Sequence, residues 1–568
     1  MRSLYQSLLD SELPRLQAIA RFWEVELKAD RHRDVAEQLA RALSTPERVI
    51  DAWETLPDAL QRVVQALLEN EGQMPTPVFT RKWGEIRTMG PGRMEREQPW
   101  RHPASPGEAL WYTGFIGRSF EQEGEKAYEV IFIPQEIGPH LPAEATPSPP
   151  RLSLSPMDRP AIVHAEGDAL LEDACTLLAY IQHHHPPHKK DGTWQSYHEQ
   201  QLHDQLCDRS PDRLAFLHHA TNALGWIQPT ESHHLRLVPP KVTQWLRSSP
   251  YEQRCSFAEL WRDDDTWNDL FHVPSLQPDA TGSWSNDPVL ARKAILNHLQ
   301  DCEAETWYSL EAFIQAVKET TPDFQRPDGD YESWYIREST TGAYLSGFES
   351  WEVVEGALIR YLLTHPLSWF DFVQTGSETE DAPPGAFCVT PSGAAFFTQK
   401  DPPPSPEPPP LTIRPDFTIF SPMGPRYKRF QLSRVADWEE TGKKQFRYRI
   451  TPQSLSRAEK QAISVDRILS FLDEAIGTTL PRYLEAALTR WQARGTEARL
   501  KHAVLLQLSD EELMTQIVST PATNRLIEER IGPTAALVDE SNWQRLIAAL
   551  GQIGLLPDID AMEEPNGT

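Results

Sequence analysis

Apolar residues recur at helical spacing through residues 3–70, as Leu4, Leu8 and Leu9, then Leu16, Ile19 and Phe22. Ser44-Thr45-Pro46-Glu47 reads as a helix start, with a polar cap, proline in the first turn and an acid at the positive end. Leu56-Pro57-Asp58 starts the next helix, which carries Leu60, Val63, Val64, Leu67 and Leu68 on one face and stops at Glu71-Gly72. A short helix at 77–83, the loop 89–93 and a helix from Ser105 through Trp111 follow. The pattern then changes to strands over 115–120 and 127–133. Helices followed by a two-stranded hairpin is the order of a winged helix.

The stretch 138–160 is rich in Pro and Ser and reads as a linker. Residues 161–285 read as a helical domain, with Leu170, Leu171, Leu177, Leu178 and Ile181 at helical spacing. Residues 286–400 repeat the first pattern. Helices are expected over 289–299, 309–317 and 350–364, then a hairpin of 368–373 with 386–390, and an acidic, aromatic insertion at 320–346. A second break, 401–410, is mostly proline. Beyond it, strands are expected at 411–420, 445–450, 503–508 and 534–538. Helices are expected at 465–475, 481–494, 511–519, 524–529 and 541–550, the last capped by Ser541. The acidic tail 558–568 is expected to be disordered. The fold class expected is mainly α with α+β parts. Its domains are a helical segment plus winged helix (1–137), the helical domain, a second winged helix (286–400) and a small α/β domain (411–557).

Charge changes this picture in one place. The 568-residue chain carries a net −27, yet residues 411–460 hold eleven Lys/Arg against five Asp/Glu. Arg426, Lys428, Arg429, Lys443, Lys444, Arg447 and Arg449 make up the heart of this island. On a two-stranded unit such cations neutralise phosphates. The competing reading is a solvated face balanced by Glu439 and Glu440. Arg447 and Arg449 alternate with Phe446, Tyr448 and Ile450, so one set faces out while the other packs. A second basic run (Arg81, Lys82, Arg87, Arg93, Arg96, Arg101) is opposed by Glu85, Glu95 and Glu97 and precedes the last helix of the first winged helix. Arg87 and Arg93 are its candidate DNA contacts. The overall acidity favours the other use of winged helices, docking protein.

The order of short segments beyond 410 resembles the helicase-associated domain found at the N-terminal side of bacterial XPB-type DNA repair helicases and in motorless relatives. The residues that carry it are Leu411–Ile419, the return strand 446–450, the helix start Thr451-Pro452-Gln453-Ser454-Leu455, Ile468–Leu472, Leu480-Pro481, Ile531–Val538 and Gly554-Leu555-Leu556-Pro557. Trp83-Gly84-Glu85-Ile86-Arg87 and Pro99-Trp100 are similar to the N-terminal section of motorless members. The resemblance implies a partnership with DNA and with a helicase or another DNA-repair protein. It does not extend to the motor. Gly442-Lys443-Lys444 lacks both the glycine-rich lead and the hydroxyl of a phosphate loop, and Asp263-Asp264-Asp265 follows no apolar strand.

Other chemistry is weakly signalled. His183-His184-His185 with His188 point in different directions on a helix and read as a solvated helix end, as do His218-His219 and His233-His234. No Gly-x-Ser-x-Gly elbow occurs. Trp307, Trp334 and Trp351 read as core. Cys175, Cys207, Cys255, Cys302 and Cys388 are scattered, which fits reduced thiols in a cytoplasmic protein. No signal peptide or membrane span is read. The expectation is a non-enzymatic accessory protein of DNA metabolism with no catalytic residues, cofactor or metal. The alternative is a protein-interaction scaffold or transcription regulator whose C-terminal domain does not touch DNA.

Overall fold

A computed structural model describes the chain except residues 1–2, 29, 124–125, 143–150, 188–195, 280–283, 403, 406, 499, 501–502 and 559–568. His188, the middle of the 138–160 stretch, the tip of the first hairpin and nearly all of the acidic tail therefore lie outside the described residues. The chain divides into two compact units, 1–450 with 475–477, and 451–474 with 478–568.

One arrangement occurs three times: helix, strand, helix, helix, strand, strand, with an antiparallel sheet in which the last strand lies between the other two. The first copy runs Asp58–Glu69, Gln73–Pro75, Thr76–Trp83, Pro106–Thr113, Gly117–Glu123 and Lys126–Phe132, with an extra helix, Pro91–Glu97, inserted before Pro106–Thr113 where the sequence reads as a loop at 89–93. The second runs Pro288–Leu299, Trp307–Ser309, Leu310–Thr320, Ala357–Thr364, Val373–Ser377 and Ala386–Val389. These are the tandem winged-helix-like parts. The third, in the second unit, runs Arg482–Arg494, Val504–Gln507, Glu511–Ser519, Pro521–Asn524, Ile527–Arg530 and Ala535–Val538. Its third helix is only one turn long. The helix expected over 524–529 is instead that turn followed by a strand, held by pairing of Glu529 with Leu537.

Several local expectations change for identifiable reasons. The helix expected over 350–364 is broken into a 3-10 turn, a π segment Glu352–Gly356 and an α-helix. The strand expected at 368–373 begins at Val373, because Pro366–Trp369 forms a helical turn. Ser541 does not cap the last helix; its hydroxyl bonds Asp539. The helical segment 161–285 also contains a hairpin, Ile227–Pro229 with Leu235–Leu237. Part of the 138–160 stretch is built into the fold. Pro156–Met157 and Ile162–His164 pair with opposite edges of the second winged-helix sheet, extending it to five strands. Proline suits such an edge, where its missing N–H goes unused.

Packing redraws the boundaries within the first unit. Residues 161–285 and 286–400 share one apolar core, in which Trp261 meets Phe370 at 5.7 Å and Phe216 meets Trp369 at 5.7 Å. Trp307, Trp334 and Trp351 are all buried. The first winged helix keeps a separate core from Leu4 to Leu141. The insertion at 320–346 joins the two: Asp323 pairs with Arg81, and Gly329 approaches Val78 closely.

Gly393 shows how tightly the second copy closes. It follows the cap Thr390, whose hydroxyl accepts from the Gly393 N–H at 3.0 Å. A Cβ there would press into the carbonyl oxygen of Phe372. Gly393→Ala is expected to cost about 1–3 kcal/mol, since backbone must move. Thermal melting checks this; a parent-like melt would show that the helix Pro391–Thr398 slides freely.

Candidate functional site

The basic island sits on a four-stranded sheet, ordered Thr412–Ile413, Thr418–Pro422, Gln445–Arg449, Asp437–Thr441, with the helix Arg426–Ser433 between its strands in sequence. The strand Asp437–Thr441 has no counterpart in the sequence reading. On Gln445–Arg449, Phe446 and Tyr448 are buried while Arg447 and Arg449 face outward.

Two members of the island are interior groups. Arg426 and Arg429 are almost completely buried, because their helix packs against Ala169–His184, which presents Asp168, Glu172 and Thr176. Arg426 donates from Nε to Gln253 Oε1 at 2.6 Å, and from Nη1 to Glu172 Oε1 at 2.7 Å and Asp168 Oδ2 at 3.0 Å. Arg429 donates from Nη2 to the Glu172 carbonyl at 2.6 Å and from Nη1 to the Thr176 hydroxyl at 3.0 Å, and lies over the Phe446 ring at 3.9 Å. Its Nε stands 3.0 Å from Glu172 Oε2, an ion pair by distance but off the hydrogen-bond line. Glu172 also accepts from the Gly424 N–H at 2.8 Å. Arg254 extends the cluster, donating to Asp168 at 2.6 Å and Asp371 at 3.3 Å.

Burial would lower the Arg426 pKa, but Glu172 and Asp168 outweigh it and hold the group above its ordinary value. Burial pushes the Asp371 carboxyl up to about 6, with Arg254 opposing. These charges therefore tie the sheet to the helical segment of the same unit. As interior groups, Arg426 and Arg429 present no face to a nucleic acid, which corrects their assignment as DNA contacts.

The remaining candidates divide. Arg447 pairs with Glu439 at 3.0 Å and Glu440 at 2.9 Å, and Arg449 with Glu439 at 2.6 Å, across the neighbouring strand. Arg87 makes a fork onto the fully buried Glu108 and also donates to the His102 carbonyl, which fixes the loop before the helix Pro106–Thr113. Arg93 pairs with Glu97 one turn on. Lys428 is half-buried. Lys443 and Lys444 are exposed at the hairpin tip, and among the described residues no acidic group pairs with either. The island is therefore not one surface.

The third helices of the two winged-helix-like parts are also covered. In helix-turn-helix proteins the recognition helix enters the major groove. Here Arg15 lies 3.3 Å over Trp111, and Trp23 donates to the Thr113 carbonyl at 2.7 Å. In the second copy, Leu358, Ile359, Tyr361, Leu362 and Leu363 are buried in the shared core.

Sequence reasoning passed over Asp168, Glu172 and Gln253. The available signal was Glu172-Asp173 inside the apolar run Leu170–Ile181: buried carboxylates on such a helix demand cationic partners. No group of three or more His, Cys, Asp or Glu with metal-holding geometry occurs among the described residues. No helix among them is long and apolar enough to cross a membrane.

No curated protein matches the chain. Residues 411–532 match a family described as helicase conserved C-terminal domain, a match that starts in the four-stranded sheet and runs into the second unit. The chain thus carries a helicase-related region over its C-terminal part.

Proposed function

We propose that the protein is a motorless accessory factor of DNA metabolism that works by docking a helicase of the XPB type. The observation that carries this reading is the fate of the cations. In a region that matches a helicase domain, Arg426 and Arg429 hold the fold together, and Arg447 and Arg449 are answered by Glu439 and Glu440. The third helices of both winged-helix-like parts are largely covered by packing within the first unit, which supports their use as protein-docking modules. A phosphate loop of the Gly-Lys-Ser/Thr type is absent from the sequence. Purified protein is expected to hydrolyse no nucleotide, with or without duplex. It is expected to form a complex with the XPB-type motor of its own cell at micromolar concentration. Hydrolysis that survives repurification and scales with protein would end the motorless reading. Failure of the two proteins to co-elute would end the docking reading.

A second reading rests on Lys443 and Lys444, the two island cations exposed at a hairpin tip. There the protein would touch phosphate directly while docked.

A further inference from the structure

A cavity of about 600 Å³ opens beside the buried ion cluster of the first unit. Arg254 and Arg426, bridged by Asp168, line it together with Arg247 and Lys428. Leu246, Pro250 and Met423 supply apolar wall. Arg247 is exposed, stacks 4.5 Å from the Tyr427 ring and donates to its hydroxyl at 2.8 Å.

Two features mark this as a site rather than a gap. Arg426 Nη2 and Arg254 Nε are buried donors with no hydrogen-bond partner, although Arg426 Nε and Nη1 and Arg254 Nη2 are all engaged. An orphaned donor on a charged group is costly, and an entering acceptor relieves it. Both atoms are shielded by their neighbours, so small side-chain shifts must accompany entry. The second feature is charge. Within the cluster, Arg254, Arg426 and Arg429 are matched by Asp168, Glu172 and Asp371. Among the described residues that line the cavity, Arg247, Arg254, Arg426 and Lys428 stand against the two acids Asp168 and Glu407.

We propose that this cavity binds a phosphate monoester, with the phosphoryl group against Arg247, Arg254 and Arg426 and the organic body along Leu246, Pro250 and Met423. A dianion with several acceptor oxygens answers guanidinium donors that approach from different elements. The apolar wall gives a body somewhere to lie, which inorganic phosphate lacks. A cavity of this volume cannot admit a duplex, so the site is separate from any DNA contact at the hairpin tip.

The test uses the full chain and phenyl phosphate as probe, with inorganic phosphate, benzoate and sodium chloride at matched ionic strength. Phenyl phosphate is expected to raise the melting temperature and to titrate calorimetrically to one site. Inorganic phosphate is expected to bind at least tenfold more weakly, and benzoate and chloride to give no shift. Arg247→Ala, at an exposed position, is expected to weaken phenyl phosphate at least tenfold while leaving the ligand-free melt unchanged. Arg426→Lys keeps the charge but removes the Nη2 donor, and is expected to weaken it as well. No binding above the salt control overturns the proposal, as does binding that Arg247→Ala leaves intact. Equal binding of benzoate overturns the phosphate assignment, and equal binding of inorganic phosphate overturns the ester.

Discussion

Glu172→Ala is expected to destabilise the first unit by about 3–5 kcal/mol, the range for breaking one side of a buried ion pair. The carboxylate is fully buried and serves Arg426, Arg429 and the Gly424 N–H together. Truncation leaves Arg426 with Asp168 and Gln253, and leaves Arg429 with a carbonyl and a hydroxyl but no carboxylate. Arg429 then remains in a low-dielectric interior with no anion, and Arg426 has only Asp168, which it shares with Arg254. The loss exceeds the net worth of the pairs, since most of it is the penalty of an uncompensated charge. Glu440→Ala is the internal control. Its bridge to Arg447 lies between half-exposed side chains, and such pairs are worth about 0–1 kcal/mol. Urea unfolding measures both. Hydrogen exchange of the amides in Arg426–Ser433 tells local release from global loss. If Glu172→Ala costs no more than Glu440→Ala, the cluster is hydrated and does not hold the sheet in place.

The same residues show what the sequence could reveal. Alternation along Gln445–Arg449 marked Phe446 and Tyr448 as inward and Arg447 and Arg449 as outward, because a two-residue period depends on local geometry alone. The two winged-helix-like parts were legible because their helices carry full apolar faces and their strands follow at once. The third copy was hidden: its third helix is one turn, and the strand Ile527–Arg530 is written in Glu and Arg, which favour helix when read without their sheet. Arg426 and Arg429 were misplaced for a different reason. Their partner Glu172 lies about 250 positions away, and charge in a window of sequence does not reveal burial. The cavity beside them was equally out of reach, since its wall joins residues near 168, 250 and 425.

Duplex binding by the hairpin tip, the second reading above, has a distinct signature in salt. Each phosphate contact releases condensed counterion, so log affinity falls with log salt at about −0.9 per contact. Lys443 and Lys444 are exposed and have no acidic partner among the described residues, so each can give such a contact. Lys443→Ala/Lys444→Ala is expected to make the slope shallower by about 1.8, two contacts' worth, and to leave melting unchanged. Arg447 and Arg449 are already paired with Glu439 and Glu440. Arg447→Ala/Arg449→Ala removes the same formal charge but no phosphate contact. It also uncovers two carboxylates on the strand that leads into the tip, which repel a backbone phosphate. That variant is expected to lower affinity at low salt while the slope stays parental. Fluorescence anisotropy on a short duplex across a salt series separates the two. An equal drop in slope for both pairs would mean the arginines leave Glu439 and Glu440 for phosphate. A parent that binds no duplex at low salt would sink the tip reading and leave Lys443 and Lys444 as part of the surface that meets the helicase.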